Sequence, residues 1–240
     1  MTTVLRPVLD PESLVVPQAS KELRYRYQPG LELSFRSTLQ VFRNADASPR
    51  FSTRAKEEFV SDVRHKVIAQ DEEDQGFYVL SYHTPVERSL DGQPLPVGEP
   101  RIVYFKHTPL GQVIEASDPM EATMLLLPEP KVGVGSEWKV NQLHFPTGRN
   151  QPIEVASFYR VNALKENKIT ILFDSQEVRY EGDTAGTEGN VYTLIGKGRF
   201  EFDLVAGHLL SLETESTMTS KEDDLLLEVV AMHSMVFQEA

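Results

Sequence analysis

Apolar and polar positions alternate with a period of two along most of the chain. Leu23, Tyr25 and Tyr27 alternate with Arg24 and Arg26 before a Pro29-Gly30 turn. Leu31, Leu33 and Phe35 then alternate with Glu32, Ser34 and Arg36 in a run that continues to Phe42. Such alternation puts one set of side chains on a buried face and the other in water, the pattern of an antiparallel strand. Phe77–Tyr82, the hairpin of Ile102–Phe105 and Gln112–Ala116, and the stretches Arg199–Leu204 and Leu210–Glu215 read the same way. Leu225–Phe237 is apolar at nearly every position except Glu228, His233 and Ser234. That suits a strand covered on both sides, with a terminal helix as the alternative. Asn44–Ser52, the acidic Asp71–Gly76 turn and the proline-rich Thr84–Pro100 stretch read as loops.

Phe59–Gln70 fits both periods, because Phe59, Val63 and Val67 fall on one helix face and on alternate strand positions. An internal repeat decides it. Val155–Leu164 aligns with Val60–Ala69 at an offset of 95, and Leu204–Leu210 aligns with Thr108–Ile114 at an offset of 96. The counterpart of Phe59–Gln70 is rich in β-branched and aromatic residues, so the stretch is predicted to be strand. Between the halves, Asp118–Pro128 is the one well-signalled helix: Asp118 caps it, Pro119 suits its first position, Glu121 gives a capping-box spacing and Pro128 stops it. The expectation is an all-β protein with one or two short helices, residues 1–240 forming a single domain. Residues 1–21 are an extended N-terminal arm, docked through Val4, Leu5, Val8, Leu9, Leu14, Val15 and Val16. Residues 22–128 are the first repeat, with the hinge helix at 118–128, and residues 129–240 are the second. Together they make a duplicated antiparallel meander, a curved half-barrel around the central helix.

Charge narrows the partners. Thirty-six acidic against 24 basic residues give a net charge of −12, which disfavours nucleic acid, whose affinity rests on Lys and Arg at phosphates, and anionic membrane surfaces. With no cysteine there is no disulfide, thiolate zinc site or cysteine nucleophile. Nothing near Met1 reads as a signal peptide, and no run approaches the ~20 apolar residues needed to span a bilayer. The expected location is cytoplasmic, with the bacterial envelope as the alternative for a chain whose signal peptide has been removed.

No G-x-S-x-G, H-E-x-x-H or Walker-type loop occurs, and Gly133-Val-Gly135 and Gly196-Lys-Gly198 lack a dinucleotide-binding context. They read as a turn and a strand kink. His83 and His107 end neighbouring predicted strands, so two imidazoles with a Glu can be imagined on zinc, although strand-end histidines more commonly pack or face solvent. The Asp71–Gly76 turn has calcium-loop spacing at its start but Tyr82 where a bidentate Glu is needed, and reads as solvated charge. No metal, cofactor or catalytic residue is expected. Met120, Met124, Leu125 and Leu127 of the helix, with Trp138, are the candidate ligand-binding residues: they either line a greasy trough or plug it.

The segment Leu127–Trp138, with its P-x-x-x-V-G-x-x-W run, and the hairpin glycines Gly111 and Gly207 resemble half-barrel proteins of the lipoprotein-carrier type (the LolA/LppX-like class). The likeness covers roughly residues 22–238. It implies a strongly curved antiparallel sheet around one or two helices, with a trough for acyl chains and no catalytic residues. This chain departs from that class in having neither a signal peptide nor a lipid-anchored cysteine. The resulting functional expectation is a non-enzymatic binding protein for an apolar or lipid-like ligand. The alternative is a protein-interaction or assembly module acting through the outer face and the 84–100 loop.

Overall fold

A computed structural model describes residues 20–46, 52–118, 124–144, 149–186, 188–222 and 225–239. It is all-β, and no helix occurs among the described residues. The strands are β1 (Glu32–Asp46), β2 (Ser52–Gln70), β3 (Phe77–Leu90), β4 (Gln93–Pro94), β5 (Arg101–His107), β6 (Val113–Ala116), β7 (Glu137–His144), β8 (Ile153–Lys165), β9 (Lys168–Ser175), β10 (Val178–Glu181), β11 (Val191–Asp203), β12 (His208–Glu222) and β13 (Leu225–Gln238). They form one open antiparallel sheet in the order β6-β5-β3-β2-β1-β13-β12-β11-β9-β8-β7, with β10 beside β11 and β4 beside β3. Phe59–Gln70 lies in β2 and Leu225–Phe237 in β13, so both ambiguous stretches are strands.

Directly paired residues of an antiparallel ladder share a face, and the register therefore sorts every side chain. Phe35 pairs with Val63 and Phe237, and Val79 pairs with Val67 and Phe105; this inner face carries the main core. A strap closes part of it. Residues 22–28 are extended without joining a ladder, and Leu23, Tyr25 and Tyr27 are buried while Arg24 and Arg26 point away. The strap is held by Lys21 pairing with Val132, by the Tyr25 amide donating to Pro109 O (2.8 Å) and by the Arg26 amide donating to Gly207 O (3.0 Å). The alternation read from the sequence reported one buried face and an extended backbone, not sheet membership.

Two readings change. Thr84–Pro100 is not a continuous loop, because β3 runs on to Leu90 and doubles back into β4. Asp91 and Gly92 both have positive φ, the two-residue turn that an Asp-Gly pair favours in a hairpin. In the proposed hinge helix, Met124–Pro128 is non-helical, Asp118 sits in a bend, and residues 119–123 lie outside the described residues. The described part is fixed by long-range bonds instead. The Leu127 amide donates to Leu110 O, Tyr25 Oη to Leu125 O and Trp138 Nε1 to Leu126 O, so its peptide groups serve the strap and sheet rather than a helical ladder. Residues 1–19, most of the predicted arm, also lie outside the described residues.

Gly111 shows how tight this packing is. Its φ is +84°, and a Cβ there would strike the Leu125 carbonyl oxygen and the Tyr25 ring. Gly92 has nearly the same φ, +79°, but open space around it. Gly92→Ala is therefore expected to cost about 1 kcal/mol of backbone strain, and Gly111→Ala at least ~2 kcal/mol more through the added clash. Urea denaturation of the pair measures the difference. Equal losses would show that the 124–128 segment yields freely.

Candidate functional site

The structure places the sequence-predicted site residues in the packed core. Leu125, Leu127 and Trp138 are buried in the main cluster, and Met124 packs against it half-buried. Met120 lies outside the described residues. Trp138 begins an aromatic stack that continues through Tyr159 (5.3 Å between centroids), Phe173 (5.7 Å) and Phe200 (5.4 Å). Gly198 is what lets Phe173 lie flat, since a Cβ at that position would strike the ring. The expected strand kink is thus a seat for an aromatic side chain.

The inner face continues beyond this stack. One register line runs Phe59, Leu39, His233, Thr214, Gly198, Phe173, Tyr159, Trp138 from β2 to β7. The next line runs Glu57, Val41, Ala231, Ser216, Gly196 from β2 to β11, followed by Ser175, whose hydroxyl accepts the Gly196 amide at 2.6 Å. Beyond it stand Arg43, Val229, Met218 and Leu194, the last two packed on a second, smaller cluster of Ile153, Val155, Tyr180 and Tyr192. Small side chains between two bulkier lines make a groove across the strands. A Cβ added at Gly196 would meet nothing closer than 3.5 Å. Leu39, Val41, Phe59, Val229 and Ala231 belong to neither packed cluster and stay half-buried. From β2 to β11 the groove crosses four strand spacings, about 19 Å.

A charged group closes its β2 end. Glu57 is 7% exposed and sits in phase with Phe59 and Val63, a core-face position that its charge would normally avoid. Arg88 donates to Oε1 through Nη2 (2.7 Å) and Nε (3.0 Å), and Arg43 donates to Oε2 through Nη1 (3.0 Å). The Arg88 hydrogen bonds, followed by that of Arg43, hold the carboxyl below its usual pKa against the opposing effect of burial. Arg88 also lies over the Phe59 ring, 5.2 Å from its centroid. Sequence reading missed this group, although an acid in phase with Phe59, Val63 and Val67 was the available signal.

The remaining candidates resolve into structural roles. His107 pairs with Phe77 and His83 with Arg101, six residues further along β3, so the two imidazoles do not form a pair. His107 ends β5, whereas β3 runs on past His83 to Leu90, and the antiparallel register puts the two histidines at opposite ends of the β3–β5 ladder. No cluster of metal-ligating side chains occurs among the described residues. The Asp71 turn is not merely solvated: Asp71 and Asp74 both bind Lys106 Nζ, at 2.9 and 2.6 Å, and Tyr78 Oη donates to Asp71 at 3.0 Å. The Lys106 ammonium, followed by the Glu73 amide and the Tyr78 hydroxyl, holds the Asp71 carboxyl well below the usual range. On the outer face a trench of about 650 Å3 is lined by Gln40, Met232, Glu215, Lys197 and Asp174 and the adjoining line of Thr38, Ser234, Glu213, Arg199 and Leu172. Its cations are paired, Lys197 with Glu215 and Arg199 with Glu201. No family model matches the chain, and no curated protein matches it.

Proposed function

We propose that the protein is a non-enzymatic binding protein that holds an apolar or lipid-like ligand in the inner-face groove. The observation that carries this reading is the half-buried apolar floor of Leu39, Val41, Phe59, Val229 and Ala231, set between two packed clusters and lined by small side chains. Each methylene moved from water onto such a floor contributes about 0.8 kcal/mol, so an alkyl chain of ten carbons gains enough to offset the cost of association. Leu125, Leu127 and Trp138, the candidates read from the sequence, lie in the packed core, and Trp138 starts the aromatic line that runs towards the groove.

Local irregularities support a duplicated origin for this platform. Ile68 and Asn162, 94 residues apart, are the extra residues where the β2–β3 and β8–β9 ladders slip. Ile114 and Leu210, 96 apart, do the same for β5–β6 and β11–β12. Gly30 and Leu31 exchange hydrogen bonds with Val67 as Gly135 and Ser136 do with Val161. Bulges and turns of this kind are devices of a particular strand plan, and the two halves place them alike.

Ser216→Phe tests the carrier reading by filling the groove between Ala231 and Gly196. Titration calorimetry with dodecanol is expected to show binding to the unaltered protein and at least a tenfold loss in the variant, with thermal stability within a few degrees. Equal affinity in both, or binding by neither, overturns the reading. The outer-face trench, which exposed Met232 lines, favours a second reading as a protein-interaction surface, for which Ser216→Phe would leave partner capture intact.

A further inference from the structure

Resting on the carrier reading, we infer that the ligand is a single-chain amphiphile with an anionic head, a long-chain fatty acid, whose carboxylate is held by Arg43 and Arg88. Two guanidiniums meet one carboxylate at Glu57, so the group carries a net charge of +1. One arginine would suffice to neutralise Glu57, and the second leaves a surplus cation at the end of an apolar groove, in a chain whose net charge is −12. Neither arginine is spent on Glu57: the Arg43 and Arg88 side chains remain 49% and 41% exposed. Arg43 keeps Nε and Nη2, and Arg88 keeps Nη1, without a partner among the described residues. These are the donors an incoming carboxylate needs for charge-assisted hydrogen bonds.

Glu57 holds both guanidiniums at the head of the groove but also competes with the ligand for their charge, so Gln in its place keeps an amide oxygen for them while raising the net charge that the head meets. Phe59, under Arg88, begins the apolar floor on the same strand. Head and chain are therefore read by adjacent residues, with the head at β2 and the chain laid towards β11. The apolar floor recognises the chain and the surplus cation selects its head.

The test compares oleate with oleyl alcohol, which has the same chain and no charge, by calorimetry at pH 7.5 and low salt. Oleate is expected to bind at least tenfold tighter than the alcohol. The double variant Arg43→Gln/Arg88→Gln should lose that advantage while keeping the affinity for the alcohol. Glu57→Gln, which releases both arginines from their acid, should bind oleate several-fold tighter, and it decides the matter should the double variant fail to fold. Equal binding of oleate and alcohol by the unaltered protein, or an unchanged oleate affinity in Glu57→Gln, overturns the assignment of the head and leaves the carrier intact. Binding of neither compound overturns the carrier itself.

Discussion

Truncation of Tyr25 to alanine is expected to destabilise the protein by about 3–5 kcal/mol, the range for removing a large buried aromatic. The residue is 2% exposed, and its ring meets Tyr27, His107 and Phe202 edge-on at 5.6, 5.2 and 5.3 Å. Its hydroxyl donates to Leu125 O at 3.2 Å, so the side chain ties the strap to the segment that leads into Pro128. Deleting it opens a cavity, removes three aromatic contacts and strips the Leu125 carbonyl of that donor. Tyr25→Phe keeps the cavity filled and should cost only ~1 kcal/mol. Urea denaturation read by far-ultraviolet circular dichroism separates the two variants. A loss below about 1.5 kcal/mol for the alanine variant would mean that the sheet is stable without its strap.

Acid sensitivity between pH 6.5 and 4 is the second large effect. His107 is fully buried within a cage of Tyr25, Tyr27, Phe77 and Phe105. Desolvation pushes its pKa down to about 4, against the smaller effect of the Nδ1–H bond to Thr108 O (2.8 Å). The folded protein therefore holds His107 neutral, while the unfolded chain takes up its proton near pH 6.5. Because the unfolded state binds more protons throughout that window, stability is full above pH 6.5 and falls as the pH drops towards 4. At 1.36 kcal/mol per unit the loss reaches about 3 kcal/mol. His65, pushed down to about 3 by desolvation and then by the charges of His83 and His107, adds a second proton-linked step of the same sign. His107→Phe suits the aromatic cage and also deletes the Nε2 atom that has no hydrogen-bond partner among the described residues. It should therefore lower the slope of stability against pH in this window without abolishing it, because His65 and His144 are also held below the usual imidazole range by burial. An acid limb identical to that of the unaltered protein would mean that water or another group solvates His107.

Most of the sheet was legible because half-buried strands write their geometry into the sequence two residues at a time. β1, β2, β11 and β12 alternate, and the turn glycines Gly30, Gly111 and Gly207 all have positive φ. The strap was misread for the same reason that it was noticed: Leu23, Tyr25 and Tyr27 alternate because they cover a core, whatever their hydrogen-bond partners are. Residues 84–94 were misread because prolines at 85 and 94 outweighed the Asp91-Gly92 signal. Pro94 lies on the two-residue strand β4, whose only ladder among the described residues is with β3, and Pro85 stands next to the slip in the β2–β3 register, both places where proline is tolerated. The local cues around Asp118–Pro128 were sound as helix signals, but Met124–Pro128 is non-helical because Tyr25, Leu110 and Trp138 engage that backbone from elsewhere in the chain. The groove was illegible for a different reason. Its members, Leu39, Glu57, Gly196, Ser216 and Ala231, sit on five separate stretches and become neighbours only through register, which sequence periodicity does not specify across non-adjacent strands.

The position of β13 bears on how the molecule is made. Phe35 pairs with Phe237 across 202 residues of sequence, and β13 is the strand that joins β1 to β12 in the middle of the sheet. Each half is a run of locally connected hairpins that can form early, at low loop-closure cost. Their union must await the last strand. During synthesis the exposed edges of β1 and β12 are unsatisfied until Leu225–Gln238 leaves the ribosome, a window in which another chain could pair there instead. The β1–β13 ladder is therefore the costliest loop to close in this sheet, and the edge of β1 is the place where pairing with another chain competes with it.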